Sequence, residues 1–314
     1  MKKPLVSIIS VNFNQTEVTC QMLESVRRQD FQDIEVIVVD NASRESCAAT
    51  VRDRFPEVKI VESVRNLGFA GGNNLAVREA QGDYFFFINN DTELPEGCIR
   101  KLMDLVKKTP DLGAVSPKIL YFPEKNAQTN TIQYVGTTTV HPLTARNITI
   151  GHGEEDHGQY AVATPTAYVH GAAMLVPRTV CERAGLMLED FFLYYEELDW
   201  SERIRRAGFS IWVEPNAHIF HKESLTVAKM GALKTYYLNR NRVWFMRRHS
   251  GGWRLGFFYA FLWLVTVPKN LLAHLFRGEF ANARAFLQGV WWNFDPFPPR
   301  TPNQFEKLRL PVFA

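Results

Sequence analysis

A buried-strand pattern in this chain ends on a carboxylate. The run YFFFIN (84–89) is followed at once by Asn90 and Asp91. Hard cations such as Mg²⁺ take oxygen ligands in proteins, often one or two carboxylates together with substrate phosphates. Asp91 is therefore a candidate ligand for a divalent cation. A cap on the helix entered through TELPEG (92–97) is the alternative that these residues leave open.

Three acids open a predicted helix later in the chain. In FFLYYEELDWSERIRRAGF (191–209), Glu196, Glu197 and Asp199 follow a run of aromatic residues. The aromatic flank indicates a partly desolvated carboxylate, whose pKa would rise toward the range of a general base, and Glu197 is the candidate. Two ordinary explanations stay open. A helix N-terminus stabilises acids by about 0.3–1 kcal/mol, and Asp199 is spaced to pair with Arg203 at i,i+4.

Two further polar side chains end strand patterns. Asp40, in VVDNAS, could accept hydrogen bonds from a base or a sugar. It could equally cap the turn or helix that DNAS favours. His221, in IFHKES, becomes a metal ligand only if the fold brings it to Asp91, and otherwise it is a packed or surface histidine. The loop HGEEDHG (152–158) contains metal-ligating residue types, but its glycines indicate a solvated segment.

Alternating patterns predict the frame that positions these residues. The alternation is typical of an α/β fold, a mostly parallel sheet with helices on both faces, and ligands of such sheets bind beyond the carboxyl ends of the strands. Asp40 and Asp91 both lie at that edge. Strands are predicted at 5–11, 34–40, 58–62, 84–89, 113–121 and 169–178, with short strands at 209–215 and 217–221, and helices at 16–29, 44–55, 73–81, 96–108 and 196–208. From about 122 to 167 the periodicity fades into loops or short irregular strands.

The composition limits the classes of function. A chain of 314 residues with 46% hydrophobic residues can bury a sizeable core. A net charge of +3 is too small to indicate a nucleic-acid binder, so we expect no nucleic-acid partner. Four cysteines without C-x-x-C pairing favour a reducing compartment, and the N-terminal residues lack a cleavable signal pattern, so we expect a cytoplasmic catalytic part. NLGFAGGNN (66–74) is neither G-x-G-x-x-G nor G-K-[ST], which disfavours nicotinamide enzymes and P-loop ATPases.

The C-terminal part has a different charge pattern. Between Glu223 and Glu279 there is no acidic residue, while Lys and Arg together occur nine times. The apolar run at 255–276 is interrupted by PKN (268–270) after 13 residues, whereas a membrane span needs roughly 20. We therefore expect a helix in or on a membrane surface, with its cations attracted to anionic lipid, or alternatively an ordinary buried helix pair. We predict two domains, a catalytic one at 1–225 and a helical, basic, membrane-associating one at 226–314.

An ordered set of short motifs resembles a known family. The motifs VSIISVNFN, VVDNAS, NLGFAGGNN, FINNDT, HGAAMLVPR, FFLYYEELDWSERIRRAGF, HKES and YYLNRNRVW occur in this order through most of residues 5–250. Together they resemble the family-two inverting glycosyltransferases with a GT-A fold, especially the rhamnosyltransferase-like branch of bacterial surface polysaccharide synthesis. Each motif is weak by itself, whereas the ordered set is specific.

The resemblance implies roles for individual residues. NND occupies the place of the family's D-x-D motif, so Asp91 matches its metal-binding acid, the implied cation being Mg²⁺ or Mn²⁺. His221 matches a histidine of the metal or diphosphate site. EELD occupies the place of the E-D-x-D motif, so Glu197 matches the catalytic base, with Glu196 and Asp199 as fallbacks because the family often has Asp there. The implied donor-binding residues are Asn12, Asp40, Asn66, Gly68, Asn74, Asn89, Asn90 and Arg240.

The predicted activity follows from this resemblance. A sugar, L-rhamnose from dTDP-rhamnose by the branch resemblance, would pass with inversion from a nucleotide-sugar donor to a hydroxyl of a glycan or polyprenyl-diphosphate-linked acceptor. The enzyme would be peripheral on the inner face of the cell membrane. A UDP-hexose donor is the alternative within the class. Alternatives of other kinds are a nucleotidyltransferase, whose Gly- and Arg-rich N-terminal loop is absent here, and a non-catalytic membrane-bound carbohydrate- or nucleotide-binding module.

Overall fold

Strands and helices alternate along the sheet-forming part of the chain, as the sequence predicts. The computed structural model describes residues 4–123, 130–222 and 231–295. The strands are β1 Val6–Asn12, β2 Ile34–Asp40, β3 Lys59–Glu62, β4 Tyr84–Ile88, β5 Thr92–Glu93, β6 Leu112–Tyr121, β7 Ile132–Tyr134, β8 Thr164–Pro165, β9 Ala173–Pro177 and β10 Ser210–His221. The helices are α1 Thr16–Arg27, α2 Ala48–Arg54, α3 Gly68–Glu79, α4 Cys98–Lys108, α5 Arg178–Ala184, α6 Glu196–Arg206, α7 Gly231–His249, α8 Gly252–Phe261, α9 Val267–Phe276 and α10 Phe280–Trp292.

A single sheet organises the part of the chain before α7. Among the described residues, its strands run in the order β3-β2-β1-β4-β9-β6-β10-β5, with β7 beside β6 and β8 beside β10. β1 pairs in parallel with β2 and β4, and β10 pairs in parallel with β6. The carboxyl ends of these strands therefore lie at one edge, where Asn12 is opposite Asp40.

One interior strand runs in the opposite direction. β9 is antiparallel to both of its neighbours, with Ile88 of β4 opposite Ala173 and Val115 of β6 opposite Leu175. Because β9 begins where β4 ends, the residues that precede β9 lie at the edge where Asp91 follows β4. The short strand β5 also reaches this edge, since Thr92 pairs with His221 at the end of β10.

Alternating strand residues form two cores, one on each face of the sheet. In β4, Phe86 and Ile88 face the core that includes residues of α1, α2 and α4, while Phe85 and Phe87 face the core that includes residues of α3, α5 and α6. This period of two is the geometry of a strand buried on both faces. At Gly72 of α3, an added Cβ would lie 2.9 Å from side-chain carbons of Val11, so glycine allows α3 to pack closely on β1.

Three elements differ from the predicted ones. The strand predicted at 169–178 is shorter, because β9 begins at Ala173 and ends at Pro177, and Arg178 begins α5. The glycine-rich segment is helical, because α3 begins at Gly68 rather than at residue 73. The two predicted short strands near 209–221 form the continuous strand β10, whose register with β6 shifts between Glu214 and His218. Pro215 lies within that shift and has no N–H to donate to a ladder, which explains why the sequence looks interrupted there.

The chain divides into two compact units. The first comprises 1–138, 148–189 and 197–223, and the second comprises 139–147, 190–196 and 224–314. The predicted domain boundary at residue 225 lies outside the described residues. In the second unit α10 packs tightly on α7, because a Cβ at Gly289 would lie 2.5 Å from the carbonyl oxygen of Tyr236.

The apolar C-terminal run forms one long helix. Gly252–Phe276 is continuous over 25 residues and has a mean hydropathy of 1.4, so by length and composition it could cross a membrane. Only 22% of its most apolar window is buried. Pro268 does not end the helix, because a π-helical segment, Leu262–Thr266, precedes it and joins α8 to α9.

Candidate active site

Asp91 lies in a tight turn after the buried strand β4. The side-chain hydroxyl of Thr92 donates to the carbonyl of Asn89 at 2.7 Å, which closes the turn. The backbone of the turn is also fixed from outside, since Asn89 N donates to Ala172 O at 2.9 Å and Lys222 N donates to Asp91 O at 2.9 Å. Asp91 itself is largely buried. The turn therefore presents one carboxylate at the carboxyl edge of the sheet.

The structure brings His221 to this carboxylate. Its Nε2 lies 3.1 Å from Asp91 Oδ1, and both side chains are largely buried. On the other side of the ring, Nδ1 lies 2.7 Å from Oε1 of Gln133, a residue of β7. Because a carboxamide oxygen only accepts, Nδ1 carries the hydrogen of this contact, and Nε2, which also lies 3.4 Å from Nδ2 of Asn89, is the ring nitrogen directed toward Asp91.

This donor set fits a divalent cation. Two acceptor atoms that face each other require a positive centre between them, either a proton on the ring or a metal ion. A carboxylate oxygen and an imidazole nitrogen are ligands for Mn²⁺, and the carboxylate also suits Mg²⁺. Within the described ranges, no group of three or more His, Cys, Asp and Glu side chains could hold a metal. A cation held by Asp91 and His221 would therefore take further ligands from a substrate or from water.

A second histidine supports the ring of His221. His170 packs edge-to-face against it, with ring centroids 6.4 Å apart. Burial, together with the neighbouring His221 and His152, lowers the pKa of His170 to about 3, so its ring is neutral at physiological pH. Its Nδ1 accepts a hydrogen bond from the backbone N–H of Ala172, which shapes the turn before β9.

The predicted acid cluster forms the first turns of α6. Glu196 and Asp199 are buried and Glu197 is half-buried. Asp199 pairs with Arg203 at 2.9 Å, the i,i+4 pair that the sequence left open. The same guanidinium donates to the carbonyls of Ala184 and Leu186. Asp199 therefore holds a structural network together, which favours a glutamate as the candidate base.

α6 is fixed against the sheet by its own tryptophan. The ring of Trp200 packs edge-to-face on Phe87 of β4, with centroids 5.6 Å apart. Its Nε1 donates to Gly185 O at 2.7 Å. The helix that contains Glu197 is thus packed on the same strand that leads into Asp91.

One short segment, Val169–Ala172, contacts both ends of the candidate site. Its last residue accepts the hydrogen bond from Asn89 N described above, and its first residue donates through its N–H to Ser201 Oγ at 3.3 Å. The hydroxyl of Ser201 in turn donates to Glu197 O at 2.7 Å. The turn with Asp91 and the first turn of α6 therefore attach to the same segment before β9.

The loop that leads into α6 has an unusual backbone. Phe192, Tyr194 and Tyr195 have φ angles of 64°, 69° and 74°, in the left-handed region that favours glycine. Asn241 of α7, which is fully buried, donates from Nδ2 to the carbonyls of Phe191, Leu193 and Tyr194 at 2.8–2.9 Å. Strain of this kind persists where surrounding contacts hold it, and it is frequent at functional sites.

Asp40 is held by the loop that follows β2. Its Oδ1 accepts from Ser43 N at 2.9 Å and its Oδ2 accepts from Cys47 N at 2.7 Å. Burial alone would raise the pKa of Asp40, but these backbone donors outweigh burial and lower it. Asp40 therefore caps the loop after β2, which is the alternative that the sequence left open. Asn12, fully buried, donates to Asp40 Oδ2 at 3.3 Å and to Ser43 Oγ at 3.1 Å.

The amides of the glycine-rich segment bind neighbouring backbone. Asn66 Oδ1 accepts from Gly68 N at 2.8 Å and from Asn41 Nδ2 at 3.1 Å. Asn74 Nδ2 donates to Met187 O at 2.8 Å, while its buried Oδ1 has no hydrogen-bond partner among the described residues. That oxygen is the one open acceptor we find on these three residues.

The two remaining predicted donor-binding residues lie in different units. Asn90 Nδ2 donates to Gln15 Oε1 and Thr19 Oγ1, each at 3.1 Å. Arg240, in the second unit, is buried with its guanidinium 4.5 Å from the ring centre of Trp292, and it donates to Asp190 O. Burial lowers the pKa of this guanidinium, although nearby tyrosines raise it.

The chain matches one protein family over more than half of its length. The family described as Glycosyl transferase family 2 matches residues 7–185. The chain belongs to this glycosyltransferase family. The match includes the Asp91 turn, β9 and the segment before it, and it ends just ahead of the acids of α6.

Curated relatives agree with the rhamnosyltransferase-like branch. The N-acetylglucosaminyl-diphospho-decaprenol L-rhamnosyltransferase of Mycobacterium tuberculosis is 22% identical over 285 residues, which cover 85% of this chain and 91% of that protein. The low-salt glycan biosynthesis hexosyltransferase Agl10 of Haloferax volcanii is 25% identical over 251 residues, covering 75% of this chain and 73% of that protein.

Solved structures confirm the predicted GT-A fold. A mannosyltransferase from Pyrobaculum calidifontis in complex with GDP-Man and Mn²⁺ superposes with a TM-score of 0.58 at 16% identity, covering 94% of this chain and 88% of that one. The Staphylococcus aureus protein TarS (residues 1–349) in complex with UDP has a TM-score of 0.55 at 15% identity, covering 92% and 82%.

Sequence reasoning missed two residues that support the candidate site, Gln133 and His170, and one, Asn241, that holds the loop before α6. Gln133 lies on a three-residue strand in the region where periodicity fades. His170 stands in the quoted motif VHGAAMLVPR, but its role depends on the reversed direction of β9. Asn241 lies in YYLNRNRVW, and its position inside a polar run gave no sign of full burial.

Proposed function

We propose that this glycosyltransferase moves a sugar, with inversion, from a nucleotide-diphosphate donor to a hydroxyl of a glycan or lipid-linked acceptor. L-Rhamnose from dTDP-rhamnose is the favoured donor. The observation that supports this most directly is the Asp91–His221 pair at the sheet edge, joined through Val169–Ala172 to the first turn of α6. The M. tuberculosis relative, named for L-rhamnosyl transfer to a diphospho-decaprenol substrate, supports the choice of donor and acceptor class.

Asp91 and His221 would hold Mg²⁺ or Mn²⁺ beside the donor diphosphate. When bound, the cation offsets the negative charge that develops on the leaving diphosphate. The arrangement of the ligands depends on Gln133, because its carboxamide fixes the tautomer of His221. Asn12, Asp40, Asn66, Gly68, Asn74, Asn89, Asn90 and Arg240 remain the proposed donor-binding set.

Glu197 would act as the general base. Its carboxylate takes the proton of the acceptor hydroxyl while that oxygen forms a bond to the anomeric carbon. The bond from the anomeric carbon to the diphosphate oxygen breaks, and the diphosphate leaves with the electron pair. A single displacement from the face opposite the leaving group inverts the configuration. General base catalysis of this kind contributes about 10²- to 10⁴-fold.

A donor panel tests the proposal. The full chain is incubated with dTDP-rhamnose or UDP-hexoses, a polyprenyl-diphosphate-linked N-acetylglucosamine, and Mg²⁺, Mn²⁺ or EDTA, and the anomeric configuration of the product is read by NMR. We expect metal-dependent transfer with inversion. Asp91→Ala should lower the rate by roughly 10³-fold, because several kcal/mol of charge stabilisation are lost. Asp104→Ala, the same substitution at a half-exposed aspartate of α4, should leave the rate unchanged.

Other outcomes would point to the alternatives. Transfer from UDP-hexoses alone would show that the donor is a UDP-hexose and not dTDP-rhamnose. A retained anomeric configuration would contradict a single displacement with Glu197 as the base. Donor binding without transfer or metal dependence would identify a binding module. Release of pyrophosphate from a nucleoside triphosphate would identify a nucleotidyltransferase.

We further propose that the C-terminal helices associate with the inner face of the cell membrane, with the catalytic part in the cytoplasm. Large apolar side chains stay exposed on α8–α10 and on the π-helical segment, and helices with exposed large apolar residues are typical of membrane surfaces. They are Trp253, Phe257, Leu264, Leu272, Leu275, Phe276, Phe280 and Trp291. No acidic residue occurs between Glu223 and Glu279 to oppose binding to anionic lipid.

Extraction from membranes tests this placement. A peripheral enzyme should be released by high salt or alkaline carbonate, because salt screens the attraction between exposed charges. It should also rebind vesicles that contain phosphatidylglycerol. Retention in the membrane after both treatments would show that Gly252–Phe276 spans the bilayer, and recovery in the soluble fraction under all conditions would exclude membrane association.

A further inference from the structure

A chain of buried polar side chains crosses the carboxyl edge of the sheet, from the end of β2 to the turn after β4. It runs from Asp40 through Asn12, the last residue of β1, and Thr19 of α1 to Asn90, the residue before Asp91. All four side chains in the chain are buried. Asp40, Asn12 and Asn90 belong to the proposed donor-binding set, whereas Thr19 lies within a helix and outside that set.

The hydrogens of this chain all point the same way. A carboxylate only accepts, so Nδ2 of Asn12 faces Asp40 Oδ2 at 3.3 Å, which leaves Oδ1 of Asn12 for the hydroxyl of Thr19 at 2.9 Å. Because that hydroxyl donates to Asn12, its oxygen accepts from Nδ2 of Asn90 at 3.1 Å. Each bond therefore polarises the next toward the carboxylate of Asp40, and burial strengthens a network of this kind.

Thr19 is the middle of the chain and is also held on its own helix. It is fully buried, and its hydroxyl lies 3.1 Å from the carbonyl oxygen of Gln15, one turn earlier. The side chain of Gln15 accepts a second bond from Asn90 Nδ2 at 3.1 Å. The start of α1 thus contacts both β1 and the turn that contains Asp91. An ordinary bond back to the preceding turn is the alternative role of the Thr19 hydroxyl.

Strand pairing by itself does not join the two ends of this chain. It places Asn12 opposite Asp40, and on the other side the Asp91 turn leads into β5, which pairs with β10. Between β1 and β4, however, the register covers only Val6 to Ile9 of β1 and stops before either loop. Side-chain contacts such as those of Thr19 therefore hold these two ends at their distance.

We infer that Thr19 is a positioning residue, which sets the distance between the nucleotide end of the donor site at Asp40 and its cation end at Asp91. The inference rests on the proposed function, in which one donor molecule contacts both ends. A ligand that spans two ends gains from their correct spacing, because its second contact forms intramolecularly once the first is made. A fragment that touches one end alone gains nothing from that spacing.

The test compares a spanning ligand with its two fragments. The full chain is titrated with dTDP or UDP, whichever binds more tightly, in the presence of Mn²⁺. The fragments are the matching nucleoside in EDTA, and inorganic pyrophosphate with Mn²⁺. Thr19→Val removes the hydroxyl and keeps the shape, so it should weaken the nucleoside diphosphate about tenfold, while the affinity for each fragment changes less than about twofold. Thr19→Ser keeps the hydroxyl and should hold the affinity for the nucleoside diphosphate within about threefold of the unsubstituted chain.

Thermal melting of the two variants separates positioning from a merely structural role. Thr19→Ser loses a buried methyl group, and Thr19→Val leaves Oδ1 of Asn12 without its donor, so both variants should melt at a lower temperature than the unsubstituted chain. If Thr19 were merely structural, the affinity for the nucleoside diphosphate would follow the melting temperature in both variants. If Thr19 positions the two ends, that affinity falls in Thr19→Val alone.

Other outcomes overturn the inference. Equal loss for the nucleoside diphosphate and both fragments in Thr19→Val would mean a general disturbance of the fold, and loss for one fragment only would place Thr19 at that one end. An unchanged affinity for the nucleoside diphosphate would mean that the hydroxyl serves only Gln15. Equal loss in Thr19→Ser and Thr19→Val would assign the role to the methyl group. These outcomes leave the proposed function standing, whereas an unsubstituted chain that binds no nucleoside diphosphate would overturn the proposed function together with the inference.

Discussion

The two ends of the candidate site are held in place by different kinds of structure. Asp91 lies between a buried strand and a two-residue strand, and the backbone on both sides of it is paired within the sheet. Glu197 lies in the first turn of a helix that follows three residues in left-handed conformations. Strand register fixes the position of Asp91, whereas side-chain contacts such as those of Asn241 fix the loop that leads to Glu197.

This difference has an energetic side. A non-glycine residue in the left-handed region costs about 1–2 kcal/mol, so the approach to α6 is unfavourable by itself. The buried amide of Asn241 and the stacking of Phe192 on Tyr237, with ring centroids 5.1 Å apart, offset that cost. The turn that contains Asp91 needs no such compensation. We therefore expect mutations to separate the two ends clearly.

The largest effect should come from the acids of α6. Glu197→Gln should lower kcat by about 10²- to 10⁴-fold and leave the melting temperature unchanged, because it removes a proton acceptor and keeps the shape. Asp199→Asn should instead lower the free energy of unfolding by about 3 kcal/mol, since it breaks a buried pair with Arg203. Activity assays and thermal melts of both variants check this. The reverse pattern would make Asp199 the base.

The next effect should come from Asn241. Asn241→Ala removes hydrogen bonds to three carbonyls and should destabilise the protein by about 2–3 kcal/mol, with a loss of kcat that exceeds any change in KM. The matched control is Asn239→Ala on the same helix, whose amide donates, as far as the described residues go, to Thr235 O within α7 alone. It should cost less than about 0.5–1 kcal/mol. Equal destabilisation of the two variants would contradict the proposed role of Asn241.

A smaller effect should come from Gln133. Gln133→Leu leaves Nδ1 of His221 without its acceptor, so the ring can adopt the wrong tautomer. We expect the affinity for Mn²⁺ to fall by about 10- to 100-fold, with little change in the affinity for a metal-free nucleotide. Titration with Mn²⁺ in the presence of UDP or dTDP measures this. An unchanged affinity for Mn²⁺ would show that His221 is not a ligand of the cation.

The smallest effect should be the pH dependence that Asp40 contributes. Its pKa is lowered in the folded state, so its contribution to stability is present above the ordinary aspartate pKa and is lost as the pH falls through the folded value. Asp40→Asn should therefore cost about 1 kcal/mol near pH 7 and progressively less below about pH 4. Urea unfolding at several pH values measures the difference. A constant difference down to pH 3 would contradict this account.

The meeting of Asp91 and His221 could be expected from the sequence, because one follows β4 and the other ends β10 at the same edge of the sheet. Parallel strands whose carboxyl ends meet at one edge bring such residues together without further information. Gln133 was not predictable in this way, since a strand of three residues is too short for its period to be read. The contacts of Val169–Ala172 with the Asp91 turn and with α6 were not predictable either, because the residues of β9 do not show in which direction the strand runs.

The base end was predictable only as a set of three acids. The i,i+4 spacing of Asp199 and Arg203 indicated an ion pair, but only the fold shows that Asp199 is fully buried in it. The left-handed residues are two tyrosines and a phenylalanine, types that carry no signal for this conformation. Similarly, Pro268 looked like an interruption of the apolar run, whereas a local π turn allows one continuous helix.

The reversed strand β9 has a consequence for how related chains can differ in length. The excursion between β6 and β9 leaves the sheet at the edge that bears Asp91 and returns at that same edge, because β6 ends there and β9 begins there. Residues can be inserted or deleted in the stretch between its short strands β7 and β8 while β6, β7 and β9 keep their register. Related chains can therefore differ in the length of that stretch, while Gln133 and Val169–Ala172 keep their contacts with the candidate site.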